Sequence, residues 1–303
     1  MKNGFNADIY KPAIVNTLET TISNRLGRCG IYYKLFCRVK EQSSIDEKIQ
    51  RKGYSRQENK LMQDIVGVRI VLYFVDDVEI CKSIVESTFE IIGTSFSEVN
   101  ENTFEPERIN YVCELPEECL EYFDSNVWTE WPIDKTFEIQ IRTIFSEGWH
   151  EIEHDVRYKS NTDWTKHKDL SRTLNGTLAT LENCEWTILK ILDCLSYEQY
   201  KQGSWAEMLK NKMRIRLADD SLDVELGKLI NEKNDIAKLL FRIDRADFLK
   251  YLASDGVGRI PLTINNIIYI INLKYLQNEE ILSITPLALK RILSAPKESA
   301  LTH

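Results

Sequence analysis

The chain has 303 residues, 43% of them apolar and 28% charged, and carries a net charge of −8. That length leaves room for two domains, each with its own core, and the composition is that of a soluble globular protein. No apolar run long enough to span a bilayer occurs, and the negative balance argues against a surface given over to nucleic acid, so an anionic ligand would need a local basic cluster. The opening MKNGFNADIYKPAIV lacks the continuous apolar segment of a signal peptide. The seven cysteines are an odd number with no C-x-x-C pair, which argues against a disulfide framework or a zinc knuckle. A reducing cytoplasm is the expected location.

Residues 7–36 read as a helix, with Ile14, Leu18, Ile22 and Leu26 on one stripe and Gly27 and Gly30 interrupting or ending it. The next stretch concentrates positive charge: Lys34, Arg38, Lys40, Lys48, Arg51, Lys52, Arg56 and Lys60. Within it, Ser43 or Ser44 can cap a helix carrying Ile45, Lys48, Ile49 and Lys52. LMQDIVGVRIVLYFVDD (61–77) is an apolar, β-branched run and predicts a buried strand, with Asp64 at its start and Arg69 in its middle. A guanidinium inside such a run needs partners. Asp76 and Asp77 open a helix through Ile80, Ile84 and Phe89. A short strand at 91–96, a polar loop at 97–110, a strand at 111–116 and a partly helical connection follow.

TFEIQIRTIFSEGWHEIEHDVRYKS (136–160) begins as an alternating strand. Phe137, Ile139 and Ile141 share one face, and Glu138, Gln140 and Arg142 share the other. Then the period changes: Trp149, Glu153, Val156 and Lys159 fall at near-helical spacing, as do His150 and His154. A strand–turn–helix junction lined by polar groups suits phosphate or metal handling.

Residues from about 161 onward read as all-helical. LSRTLNGTLATLENCEWTILKILDCL predicts one long amphipathic helix with Leu174, Leu178, Leu181, Trp186, Ile188, Ile191 and Leu195 as its core face. Further helices are expected near 203–213, 221–232, 234–254, 261–277 and 285–294, with breaks at Gly256, Gly258, Pro261 and Pro286. A lid, an oligomerisation surface and a partner-binding domain all fit such a region.

Four segments together carry a family resemblance: RVKEQSSIDEKIQRKG (38–53), DIVGVRIV (64–71), EIQIRT (138–143) and W-x-x-x-E-H-x-x-x-Y-K (149–159). In this order the chain resembles the synthetase domain of the RelA/SpoT family over roughly residues 30–160. The resemblance implies an α+β fold: a nucleotidyltransferase-like mixed sheet flanked by helices, here followed by an all-helical C-terminal region. Taken with the helical reading of the remainder, it divides the chain into a RelA/SpoT-like domain at 1–162 and a helical domain of unknown role at 163–303. It also implies Mg²⁺-dependent transfer of the β,γ-pyrophosphate of ATP to the 3′-hydroxyl of a nucleotide. Pyrophosphoryl transfer depends on positioning and charge neutralisation. By resemblance, Arg38, Lys40 and Lys48 hold the donor phosphates, with Arg51 or Lys52 helping. Asp64 binds Mg²⁺, and Glu138 completes the metal site or activates the attacking hydroxyl. Arg69, Gln140 and Arg142 fix the carboxylates and substrate, and His154, Tyr158 and Lys159 are supportive or on the acceptor side.

One motif departs. The family carries G-Y-x-S-x-H before the strand at 111–115, and its tyrosine stacks on the acceptor guanine. Here Glu105 stands at the glycine, Pro106 at the tyrosine and Asn110 at the histidine. Phe104, Tyr111, Trp128 and Trp131 are the aromatics available to replace it. Three readings therefore stand, in order: a RelA/SpoT-like pyrophosphotransferase, a nucleotidyltransferase making a small signalling oligonucleotide, and a catalytically inactive nucleotide-binding module. The expected partners are a nucleoside triphosphate donor, a nucleotide acceptor, and a second copy or a regulatory protein on the helical region. A tRNA 3′ end is disfavoured by the acidic charge, and no membrane is expected.

Overall fold

The computed structural model describes residues 7–96, 109–123, 127–158, 164, 166–254, 257 and 260–294. The chain divides into two compact units: Met1–Asn24 with Tyr33–Asn183, and Arg25–Tyr32 with Cys184–His303.

The first unit is built on a mixed five-stranded sheet of order β1-β2-β5-β4-β3. Its strands are β1 (Tyr33–Val39), β2 (Val66–Leu72), β3 (Ile91–Phe96), β4 (Ile109–Glu114) and β5 (Thr136–Thr143). Only β2 and β5 run parallel. Alternation explains the two faces. Val66, Val68 and Ile70 of β2, Phe137, Ile139 and Ile141 of β5, and Ile109, Tyr111 and Cys113 of β4 are all buried. Helix α3 (Val78–Thr88) covers this apolar face with Ile80, Cys81, Ile84 and Val85, and Phe89 at its end meets Phe137 edge-on at 5.2 Å. Gly67, Arg69, Glu138, Gln140, Arg142, Asn110 and Val112 occupy the opposite, half-buried face.

Two expectations near the N-terminus are corrected. The helix predicted over 7–36 is α1 (Ala7–Cys29), and the chain from Tyr33 is strand β1. Gly30 stops the helix in a left-handed conformation (φ +70°), which a side chain tolerates poorly. The helix α2 (Gln42–Lys52) is entered from Glu41, so Ser43 and Ser44 lie inside its first turn and do not cap it. Two short helices, α4 (Glu117–Leu120) and α5 (Val127–Glu130), lie between β4 and β5, and after β5 helix α6 (Ile144–Ile152) runs on as a π-turn (Glu153–Tyr158).

The second unit is helical. The long helix α7 (Lys168–Gln202) crosses the boundary, and α8 (Trp205–Met213), α9 (Val224–Glu232), α10 (Asn234–Arg242), α11 (Arg245–Ala253), α12 (Ile264–Ile271), α13 (Glu279–Ile284) and α14 (Leu287–Ser294) follow. The helix expected over 234–254 breaks in two because Asp244 caps a new start, accepting from Asp247 N. The expected core face of α7 is largely wrong. Leu178 is buried, but Trp186 and Ile191 are 60% and 59% exposed, and Ile188 and Leu195 are also exposed. The buried stripe is instead Leu178, Glu185, Leu189 and Ser196.

Candidate active site

The polar face of the sheet gathers five of the predicted residues, Arg38, Arg69, Glu138, Gln140 and Arg142, into rows. Cross-strand register aligns Arg38 of β1 with Gly67 of β2, Gly67 with Glu138 of β5, and Glu138 with Val112 of β4. The next row is Phe36, Arg69, Gln140, Asn110 and Ser95, and beyond it lie Lys34, Val71 and Arg142. Adjacent strands lie about 4.8 Å apart, so Arg38 and Glu138 flank Gly67 across ~10 Å. A Cβ built on Gly67 meets no atom within 4 Å, so the space above it is open. A basic and an acidic group therefore face each other over a bare strip of backbone.

At one end of this strip stands Asp64, just before β2. Lys48 of α2 contacts its Oδ2 at 2.5 Å and Lys40 at 2.9 Å. Lys40 also donates to the Asp64 carbonyl. Burial alone would raise the Asp64 pKa, but the two ammonium groups more than offset it and hold it below the ordinary carboxylate value. Burial pulls Lys40 down, aided by Lys48 and Arg38, and Asp64 only partly restores it. Asp64 Oδ1 is buried without a hydrogen-bond partner. Glu138 accepts from Gln140 Nε2 at 3.1 Å, and Gln140 Oε1 in turn accepts from Arg142 at 3.2 Å.

At the other end, α6 closes over the arginines. The predicted need of Arg69 for partners is met by Glu147 at 2.5 Å and Glu151 at 2.6 Å. Burial disfavours the Arg69 charge, yet these carboxylates raise its pKa. Glu147 also approaches Arg142 at 3.3 Å. Sequence reasoning missed both glutamates, although their i, i+4 spacing on a helix following an arginine-bearing strand was the available signal. His150, from the same turn, is lowered to about 4 by burial and by Arg142 and Arg69.

Other predicted residues sit elsewhere. Arg51 pairs with Glu47 at 3.8 Å and both are well exposed; the Lys52 carbonyl accepts from Lys60. His154 stacks on His150 at 5.9 Å and contacts Asp155 at 2.9 Å. Lys159, Phe104, Glu105 and Pro106 lie outside the described residues. Tyr111 does not replace the missing aromatic: it is buried on the apolar face and donates to Glu86 at 2.8 Å. Trp128 packs edge-on against Phe123 at 4.8 Å.

Residues 37–163 match the family model described as the region found in RelA / SpoT proteins. That stretch is a RelA/SpoT-family domain. Over 129 residues the chain is 33% identical to GTP pyrophosphokinase YjbM of Bacillus subtilis (strain 168), covering 40% of this chain and 54% of that protein. It is 28% identical over 140 residues to GTP pyrophosphokinase YwaC of the same organism, covering 43% and 60%. The chain thus spans little more than half the length of these curated relatives. Among solved structures, it is similar to small alarmone synthetase 1 from Bacillus subtilis, at 24% identity and a TM-score of 0.47, covering 59% of this chain and 91% of that one. The RelA/SpoT-like segment contains β1 from Cys37 onward, all four other strands and α6.

Proposed function

We propose that the protein is a pyrophosphotransferase that moves the β,γ-pyrophosphate of ATP to the 3′-hydroxyl of a nucleotide, producing a signalling nucleotide. The observation that carries this reading is the open strip over Gly67, bounded by the Lys40–Lys48–Asp64 cluster and by Glu138, within a domain whose relatives are GTP pyrophosphokinases. In this account the acceptor 3′-oxygen attacks the β-phosphorus, the bond between that phosphorus and the α,β-bridging oxygen breaks, and AMP leaves. Glu138 takes the hydroxyl proton, and Gln140 and Arg142 hold that carboxylate in place. Arg38, Lys40 and Lys48 neutralise the donor phosphates, with Arg51 and Lys52 on the same helix as secondary contacts. Arg69, His154 and Lys159 are assigned to substrate positioning.

The donor set fits Mg²⁺. Asp64 offers a buried oxygen without a partner, and Asp64 and Glu138 supply the hard oxygens that this ion takes alongside phosphates and water. When bound, the ion adds charge neutralisation on the phosphates. Residues 1–162 are assigned the chemistry. For 163–303 we infer self-association. Leu170, Leu174, Leu181, Ile188, Ile191 and Leu195 recur along α7 at near-heptad spacing, and no charged side chain interrupts the seam for a second copy to meet. The seven free thiols fit a cytoplasmic location.

The acceptor side departs from the family pattern. With Pro106 at the stacking position, GDP and GTP should be poorer acceptors than for relatives that keep the tyrosine, since base–aromatic stacking contributes about 1–3 kcal/mol. The test of the site itself is Asp64→Asn. The variant should fold and lose pyrophosphoryl transfer by roughly two orders of magnitude or more. Full activity in that variant would sink the assignment.

A further inference from the structure

His150 takes no part in the transfer chemistry, yet residues 150–154 read H-E-I-E-H, two histidines four apart with a glutamate after the first. On a helix that spacing puts both imidazoles on one face, where they can grip one transition-metal ion. The two rings do stand together, although α6 widens into the π-turn between them. Their centroids are 5.9 Å apart and their planes are inclined by 27°. Local π-turns of this kind recur at functional sites. Asp155 Oδ1 lies 2.9 Å from His154 Nδ1. A carboxylate there favours the tautomer protonated on Nδ1 and makes Nε2 the coordinating nitrogen, the arrangement usual for metal-bound histidines. Burial, Arg142 and Arg69 hold the His150 pKa at about 4, so near pH 7 this ring is neutral and keeps its lone pair. The two arginines do not repel an ion at full strength, because Glu147 and Glu151 pair with them.

We propose that His150 and His154 form a site for a transition-metal cation of the Zn²⁺ type, and that the ion bound there slows pyrophosphoryl transfer; the second part rests on the reading above. Among the described residues, no group of three or more His, Cys, Asp or Glu side chains is placed to hold an ion. The site is therefore a two-histidine one with water in its remaining positions, open and exchangeable, unlike the closed four-ligand shell of a structural zinc. Imidazole suits Zn²⁺, whereas Mg²⁺ takes oxygen ligands, so the Mg²⁺ of the transfer reaction does not compete for it. Nor is the pattern used here as in a metallopeptidase, where the glutamate is the general base, because Glu151 is held by Arg69 at 2.6 Å. That same contact carries the effect. An ion at the histidines attracts the neighbouring Glu151 carboxylate and weakens its hold on Arg69. It also occupies His154, and both Arg69 and His154 are assigned to substrate positioning.

The test titrates Zn²⁺ into the full chain by calorimetry, with excess Mg²⁺ present. Cys184 and Cys194 are exposed thiols that would take zinc themselves, so the titration is made in a Cys184→Ser, Cys194→Ser background. One equivalent should bind, and His150→Gln and His154→Gln should each raise the Kd at least about tenfold. Zinc should also lower the transfer rate, and His150→Gln, unchanged in its zinc-free rate, should resist it. Zinc affinity unaltered by both substitutions overturns the site. Zinc that binds through the histidines and leaves transfer at its full rate overturns the inhibitory role. Zinc-free protein that yields no transfer product contradicts the pyrophosphotransfer reading instead, and the titration then decides the site on its own.

Discussion

Gly67 matters for the side chain it lacks. It sits in β2 between Arg38 and Glu138, with open space where a Cβ would point. Nothing in the fold forbids a larger residue there, and a β-branched one suits a strand. Substrate does forbid it, if the strip is where the reacting phosphates lie. Gly67→Val should therefore keep a near-wild-type melting temperature and lose at least about tenfold in transfer rate, because a small misplacement of reacting groups is costly. Activity measured beside a thermal melt checks this, and a stable, fully active variant would move the site elsewhere. Asp64 and Glu138 were legible in the sequence because a carboxylate opening a core strand, and another on the polar face of a strand, are conspicuous. The place of Gly67 between Arg38 and Glu138 was not, because it depends on cross-strand register, which a single strand does not encode.

At the scale of elements, α6 links sheet to site. Thr143 and Ser146 cap it reciprocally, with Ser146 N donating to Thr143 Oγ1 at 3.1 Å and Thr143 N to Ser146 Oγ at 3.0 Å. The helix so started aims Glu147, His150 and Glu151 at Arg69 and Arg142. His150 faces both arginines, Glu151 and His154, and its folded pKa of about 4 lies below the ordinary 6.5. Between those values the unfolded chain binds a proton that the folded one refuses, so stability falls as pH drops from 6.5 to 4. The bare shift corresponds to roughly 3 kcal/mol; for a half-buried ring, screening leaves about 1 kcal/mol. His150→Gln should remove that much of the acid-side loss, as read by urea denaturation at the two pH values, and an unchanged pH dependence would contradict it. The strand–turn–helix order of this region was readable from its change of period. Strand β1 was not, because the apolar stripe of α1 at Ile14, Leu18, Ile22 and Leu26 invites extension, although Tyr33, Leu35, Cys37 and Val39 alternate with Lys34, Phe36 and Arg38.

For the whole molecule, net charge and local charge point opposite ways. An acidic chain gathers Lys40 and Lys48 around one carboxylate, so positive charge is concentrated there against a negative net balance. The family match ends at residue 163, and the region beyond it was legible as helical, but six helices were expected where eight are described, and their facing was not legible. Period alone does not say which of two apolar stripes on α7 is buried by its own chain. Among the described residues, no helix is long and apolar enough to cross a membrane. The central claim is that these parts perform pyrophosphoryl transfer. Its direct measurement is to incubate the full chain with ATP, Mg²⁺ and a panel of nucleotides, and to resolve the products by mass. The account predicts AMP together with a nucleotide carrying a new 3′-pyrophosphate. Free pyrophosphate with a phosphodiester-linked product would contradict it.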